Sequence, residues 1–167
     1  MTKTENKQLP QWLSEESMKD VDHWIAKYPE EQRQSAVMST LRIAQEQYGW
    51  LSLPLMAAVA DYLRMPEIAV IEVATFYSMY ELSPVGKHCI NVCTNISCKL
   101  NDSDKVLRHL EDKLDVKLGE TTADNKFTLR EVECLGACAG APMMQIDKSY
   151  HEHLNEQKID EILSELA

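Results

Sequence analysis

The sequence has no hydrophobic run long enough to cross a membrane as a helix. Its most apolar stretch, residues 51–63, is shorter than the roughly 20 residues that such a helix needs, and it includes Asp61. The start of the chain has no basic segment followed by an apolar one, so we expect no secretory signal. These features predict a cytoplasmic protein that does not insert into the membrane itself.

Positive charge is also scarce. The 167 residues include 17 Lys and Arg against 27 Asp and Glu, which gives a formal net charge of −10. A chain with this excess repels nucleic-acid phosphates, so we expect no nucleic-acid partner. The hydrophobic fraction of 44% is sufficient for a folded core.

The sequence lacks the motifs of several common catalytic and ligand-binding sites. The sequence contains neither G-x-G-x-x-G nor a P-loop, so nothing predicts that this chain binds NAD or a nucleotide itself. It contains no C-x-x-C, the spacing typical of thiol–disulfide oxidoreductases. His151-Glu152-His153 has no third metal ligand nearby in sequence, and we interpret it as a polar loop. We therefore expect no catalytic residue acting on a substrate.

The first half of the sequence has helical periodicity. We predict a loose segment over residues 1–13, which is mostly polar, and a helical bundle over residues 14–83. Proline or glycine separates the helices of the bundle, as expected at helix boundaries. The predicted helices begin near Ser14, Glu30, Pro54 and Pro66. On the last of them we expect Ile68, Ile71 and Thr75 to lie on one side.

The second half changes to segments rich in β-branched residues after Ser83-Pro84-Val85-Gly86. We predict a separate domain over residues 84–167 with the order β-α-β-β-α. The predicted strands cover residues 87–93, 126–132 and 143–146, with a further strand near Tyr150, and the helices cover 104–114 and the residues after Asn155. The whole chain is thus predicted to be an α+β protein.

Four of the five cysteines form two close pairs. Cys93 and Cys98 have the spacing C-x4-C, and Cys134 and Cys138 have the spacing C-x3-C. In the cytoplasm thiols stay reduced, so the pairs indicate metal or redox chemistry and not disulfides. A 2Fe–2S cluster has two irons, each of which takes two protein ligands, and thiolates suit them. One pair for each iron predicts a single 2Fe–2S cluster on these four cysteines.

Other interpretations of the cysteines remain open at this point. Four cysteines can also hold a structural zinc ion, although zinc ribbons usually have C-x2-C on both sides. Cys89 lies within a predicted strand, and we interpret it as a small buried hydrophobic residue and not as a ligand. Gly136 and Gly140 lack a β-carbon, which would let the backbone approach a bulky cluster.

Several motifs together resemble the thioredoxin-like 2Fe–2S ferredoxin family. They are the two cysteine pairs, Gly119-Glu120-Thr121-Thr122-Ala123-Asp124, Phe127-Thr128-Leu129 and Ala141-Pro142. In the first half, Val73-Ala74-Thr75-Phe76-Tyr77 is similar to a segment of one branch, the E subunits of bacterial NADH:quinone oxidoreductase (complex I). The resemblance covers about residues 14 to 166. The sequence differs from the family at two positions where glycine is common. One lies within Lys99-Leu100-Asn101-Asp102, directly after Cys98, and the other is Asn125.

The resemblance implies a thioredoxin-like fold for residues 84–167, with Cys93, Cys98, Cys134 and Cys138 as the ligands of one 2Fe–2S cluster. It implies an electron-transfer subunit of a proton-translocating NADH:quinone oxidoreductase, peripheral to the cytoplasmic membrane. The expected partners are an FMN- and NADH-binding subunit, which the helical half contacts, and other subunits of the hydrophilic arm. The alternatives are the equivalent subunit of an NAD-linked hydrogenase or formate dehydrogenase, or a zinc-stabilised scaffold.

Overall fold

The computed structural model describes residues 8–166, which form two compact units. The division of the chain falls after Pro84, with the first unit covering Met1–Pro84 and the second Val85–Ala167. No helix in residues 8–166 combines the length and apolar character needed to span a membrane.

All regular secondary structure in the described part of the first unit is helical. Its α-helices are α1 (Leu9–Trp12), α2 (Glu15–Ile25), α3 (Val37–Tyr48), α4 (Leu53–Leu63) and α5 (Glu67–Phe76), and a 3-10 helix (Glu30–Ala36) precedes α3. The second predicted helix is therefore two elements, a 3-10 helix followed by α3. Local signals set the boundaries of α2, α3 and α4. The hydroxyls of Ser14 and Ser52 accept hydrogen bonds from first-turn amides of α2 and α4. Gly49 ends α3 in the left-handed conformation, with φ 78°.

The start of the chain differs from the prediction of a loose segment over residues 1–13. Residues 1–7 lie outside the described residues, but α1 follows directly, and Leu9 and Leu13 are almost completely buried. Gln47 on α3 donates from Nε2 to the Trp12 carbonyl oxygen at 2.9 Å. Leu9 and Leu13 thus add apolar side chains to the helical core, which a mostly polar composition did not indicate.

Of the three residues expected on one side of helix α5, only Ile71 packs against the helical core, and it is partly buried. Ile68 is 62% exposed and Thr75 is exposed, whereas Val70 and Ala74 are buried in the core. The helix is apolar around most of its circumference, so periodicity does not select one face. Val70 and Ala74 lie on the side of α5 that packs into the helical core.

The second unit is a four-stranded sheet with helices. Its elements are β1 (His88–Cys93), α6 (Ile96–Leu100), α7 (Ser103–Leu114), β2 (Phe127–Val132), β3 (Met144–Ile146), β4 (Ser149–His151) and α8 (Glu156–Leu166). The strand order is β2-β1-β3-β4. Strand β1 runs parallel to β2 and antiparallel to β3, and β3 runs antiparallel to β4. The prediction of an α+β chain is confirmed, and α6 is an additional helix that the sequence analysis did not include.

The core of this unit lies between the sheet and helices α7 and α8. Ile90 and Leu129 on the two parallel strands are fully buried, as are Leu110 on α7 and Ile159 on α8. The parallel register pairs Ile90 with Leu129, which places the ends of β1 and β2 at the same edge of the sheet. Cys93 pairs with Val132 at that edge, so the segments that follow both strands begin side by side.

Candidate functional site

The first cysteine pair joins strand β1 to helix α6. Cys93 is the last residue of the strand, and Cys98 lies inside the helix. Between them, the Asn95 side-chain oxygen accepts a hydrogen bond from the Ile96 amide at 2.9 Å, which caps α6. Cys93 and Cys98 are 4% and 1% exposed. The tight strand-to-helix turn thus keeps both thiols inside the unit.

The second cysteine pair lies in the segment after β2. Cys134 and Cys138 are both exposed, in contrast with the first pair. Gly136, between them, has φ 76°, a conformation that residues with a side chain seldom adopt. Cys138 begins a 3-10 turn (Cys138–Gly140). This segment, residues 133–142, is called the second cysteine loop below.

The two cysteine segments pack against each other. Cys93, Cys98 and Met143 form one buried cluster, and Leu135, Ala137 and Ala141 from the second cysteine loop pack on it. The side chains in this cluster are uncharged, and the sulfur donors are of the soft type that suits iron. The structure therefore brings together the elements that carry the predicted ligands.

Met143 connects the two members of the first pair. The Cys93 amide donates to the Met143 carbonyl oxygen at 3.2 Å. The Met143 backbone also makes a hydrogen bond with the Cys98 sulfur, one that favours the thiolate. Hydrogen bonds to sulfur are one of the means by which proteins adjust the potential of a cluster.

The ionisation of Cys98 reflects this environment. Burial raises the pKa of the Cys98 thiol to about 11, and a hydrogen bond with Cys93 and negative charge on Cys93 or Cys138 act in the same direction. The Met143 backbone opposes the increase. Cys98 therefore resists deprotonation mainly because it is buried.

The remaining cysteine is held differently. Cys89 lies near the start of β1, and its amide donates to the Asp147 carboxylate at 3.0 Å. Its carbonyl oxygen accepts from the Asp147 amide at 3.1 Å. Cys89 is thus tied to the turn between β3 and β4, whereas Cys93 lies at the other end of β1.

Among residues 8–166, no group of three or more His, Cys, Asp or Glu side chains is already arranged to hold a metal ion. The four cysteines therefore remain a predicted ligand set, supported by donor chemistry and by the packing of the two segments.

His151 lies on β4, and burial lowers its pKa. The His153 amide donates to the Gly140 carbonyl oxygen at 2.7 Å, which is a structural contact of the polar loop.

Two residues of the site had no sequence signal. Met143 follows a proline in a short apolar run, and nothing in that pattern indicates hydrogen bonds to both cysteines of a distant pair. Tyr150 donates from its hydroxyl to the Leu135 carbonyl oxygen at 2.7 Å, next to Cys134 in sequence. Contacts of this kind depend on the tertiary fold, and residue spacing does not reveal them.

Curated relatives are similar to this chain over most of their length. It is 49% identical over 144 residues to the E subunit of the NADH-quinone oxidoreductase of Rickettsia felis, with 86% of each chain covered. It is 42% identical to a Rhizobium meliloti protein named as the second E subunit of NADH-quinone oxidoreductase, covering 86% of this chain and 84% of the relative.

Solved structures agree on the fold. An NAD+-reducing [NiFe]-hydrogenase in the H2-reduced state aligns with a TM-score of 0.67 at 18% identity. The alignment covers 75% of this chain and 22% of the hydrogenase chain.

The profile of thioredoxin-like [2Fe-2S] ferredoxins matches residues 21–167, and the chain belongs to the thioredoxin-like [2Fe-2S] ferredoxin family.

Proposed function

We propose that this chain is the E subunit of an NADH-quinone oxidoreductase, in which it carries one 2Fe–2S cluster and exchanges single electrons with the FMN of an NADH-oxidising partner subunit. The observation that carries the proposal is 49% identity over 86% of both chains to a relative of that name. Similarity over both units, and not over the cysteine segments alone, favours a shared role in the complex. The chain contributes to the enzyme as a subunit and has no substrate chemistry of its own.

The proposed ligands are Cys93, Cys98, Cys134 and Cys138. The cluster, when bound, supplies a one-electron redox couple. The first pair would hold one side of it from inside the unit, since both thiols are buried. The second pair would hold the side nearer to solvent, since Cys134 and Cys138 are exposed. An exposed side suits exchange of electrons with a partner protein.

The apolar packing around the site supports this assignment. Cys98 must lose its proton to act as a ligand, and burial makes that loss unfavourable in the cluster-free protein. Iron supplies the compensating positive charge, and the Met143 backbone favours the thiolate before iron arrives. Met143, Leu135 and Ala137 would keep water from the buried side.

The relatives' names, each of them a subunit of NADH-quinone oxidoreductase, support a place in a multi-subunit complex. The proposed complex contains an FMN- and NADH-binding subunit and further subunits of its hydrophilic arm, and this chain would be peripheral to the cytoplasmic membrane. Exposed apolar side chains of the helical unit, such as Ile68 and Phe76, are suited to contacts with a neighbouring subunit. In the alternative function, this chain would carry the same cluster as a subunit of an NAD-linked hydrogenase or formate dehydrogenase.

Two measurements test the proposal. The first is the iron and acid-labile sulfide content of anaerobically purified protein, with its visible spectrum. Two irons and two sulfides per chain, with bands bleached by dithionite, are expected. One zinc per chain without sulfide, in cells with ample iron and cluster-assembly capacity, would contradict the electron-transfer role.

The second measurement identifies the enzyme. Affinity purification of the tagged chain from its native host should recover an FMN-containing assembly with NADH–quinone reductase activity. A strain that carries a Cys93→Ser, Cys134→Ser double variant of the chain provides the matched control for the contribution of the cluster. Recovery of hydrogen-dependent or formate-dependent NAD+ reduction instead would keep the ferredoxin role and reject the NADH-quinone oxidoreductase.

A further inference from the structure

Tyr150 occupies the edge of the sheet. It lies in the middle of β4, which is the outermost strand next to β3, and it pairs with Gln145. Half of its surface is exposed, so burial of the ring does not explain its position. Its hydroxyl reaches away from its own strand to the second cysteine loop.

The contact that Tyr150 makes is with the backbone beside a proposed ligand. The hydroxyl donates to the Leu135 carbonyl oxygen at 2.7 Å, a good hydrogen-bond length. Leu135 directly follows Cys134, and its side chain packs on the buried cluster of Cys93, Cys98 and Met143. The hydrogen bond thus acts on the residue that links the second cysteine pair to the first.

The second cysteine loop has a side that is open to solvent. A β-carbon built on Gly136 would meet no atom within 4 Å, and Cys134 and Cys138 are exposed. The other end of the loop is held by backbone hydrogen bonds, from the His153 amide to Gly140 at 2.7 Å and from the Leu154 amide to Pro142 at 3.0 Å. The segment after β3 therefore contacts the loop near both of its ends, and Tyr150 supplies its contact near Cys134. The Cys93 sulfur also contacts the start of the loop, at 3.8 Å from the Glu133 carbonyl oxygen.

We propose that Tyr150 is a positioning residue for the second cysteine pair: its hydroxyl fixes the Leu135 carbonyl, and thereby the conformation of the loop that carries Cys134 and Cys138. This inference rests on the proposed function, because it concerns the retention and the potential of the 2Fe–2S cluster. Tyr150 acts through the loop, by its hydrogen bond to the Leu135 backbone.

The test is Tyr150→Phe, which keeps the ring and removes the hydroxyl. A neutral hydrogen bond contributes about 0.5–1.5 kcal/mol net, so the loop should open about two- to tenfold more often. Iron release from the loaded protein to a chelator should accelerate by the same factor. Tyr28→Phe, the same chemical change in the helical unit, should leave the release rate at the wild-type value.

The reduction potential provides a second readout. A looser loop admits water to the cluster, and water stabilises the more negative reduced state, so the potential of Tyr150→Phe should become more positive. Hydrogen exchange separates this role from a general loss of stability. Deuterium uptake should increase in residues 133–141 at labelling times when β1 is still protected, and the urea midpoint of the second unit should fall by no more than the loss of that one hydrogen bond accounts for.

The outcomes distinguish the two proposals. A loaded Tyr150→Phe protein with unchanged iron release, potential and loop exchange would overturn the positioning role. A wild-type protein without iron and sulfide would overturn the proposed function instead. Hydrogen exchange in that cluster-free protein would still decide whether the tyrosine hydroxyl restrains the loop.

Discussion

The Cys93 amide donates a hydrogen bond to the Met143 carbonyl oxygen, with a nitrogen–oxygen distance of 3.2 Å. The same Met143 backbone makes a hydrogen bond with the Cys98 sulfur. A residue that is distant in sequence therefore holds both members of the first cysteine pair. Because the Met143 side chain is only 1% exposed, its position depends on core packing as well as on these hydrogen bonds.

Replacing Met143 tests this dependence. Met143→Ala should leave a cavity beside Cys93 and Cys98 and cost about 2–5 kcal/mol of unfolding free energy. Met143→Leu nearly conserves the volume and should cost less than about 1.5 kcal/mol. Urea unfolding gives both values, and the iron content of each purified variant shows whether the cysteines lose the cluster. Equal stability and iron content in the two variants would mean that Met143 does not organise the site.

The ligand assignment predicts which cysteines matter. Replacing any one of Cys93, Cys98, Cys134 and Cys138 with serine should abolish or severely perturb the cluster, because one of the two irons then loses a thiolate. Cys89→Ser is the matched control and should retain two irons per chain. The measurement is iron and sulfide content together with the visible spectrum. A Cys89→Ser protein purified without iron would refute the assignment.

The raised pKa of Cys98 predicts the order of thiol reactivity in cluster-free protein. The thiolate is the reactive form, and Cys98 is held as the neutral thiol because burial raises its pKa to about 11. At pH 8, iodoacetamide should modify the exposed Cys134 and Cys138 before Cys98. Modification of Cys98 should accelerate as the pH rises toward 11. Mass spectrometry of peptides from a time course measures these rates.

An early reaction of Cys98 at pH 8 would contradict both its burial and its raised pKa. Cys98→Ala provides the control, since it should not slow the modification of Cys134 and Cys138. If Cys98→Ala did slow the modification of Cys134 and Cys138, the Cys98 side chain would affect their reactivity. A buried, neutral thiol does not explain such an effect.

Much of the fold could be predicted because local signals and periodicity agree. Ser14 and Gly49 mark helix ends that the structure retains. The face of α5 could not be predicted, because a helix with apolar residues on several sides is oriented by its neighbours. Leu9 is likewise buried by helices that lie later in the sequence, so the residues around Leu9 do not indicate its burial.

For the candidate site, the sequence predicts which cysteines act as ligands, and that ligand set stays a prediction. Cysteine spacing identified the two pairs, since short-range spacing reflects local ligand geometry. The contrast between buried Cys98 and exposed Cys138 arises from where the strands end and how the second cysteine loop lies across them. The hydrogen bonds of Met143 and Tyr150 are long-range, and their residue types have no sequence pattern for this role.

Asp160 joins helices α7 and α8 in the unit that carries the site. Its carboxylate oxygens lie 2.9 Å from His109 Nε2 and 3.2 Å from Lys113 Nζ. The hydrogen bond with His109, followed by that with Lys113, lowers the pKa of Asp160 below its usual range. A carboxylate with a lowered folded-state pKa adds stability above its unfolded pKa of about 3.9 and loses that stability as the pH falls through the folded value.

Asp160→Asn should therefore destabilise the second unit at neutral pH and have little effect at low pH, where wild type is protonated too. Urea midpoints measured from pH 7 down to pH 3 should converge for the two proteins as the pH falls below about 4. Asp112→Asn, on the exposed side of α7, is the matched control and should give a smaller difference at pH 7. A difference between wild type and Asp160→Asn that stays constant down to pH 3 would mean that Asp160 stabilises the helices by packing and not by its charge.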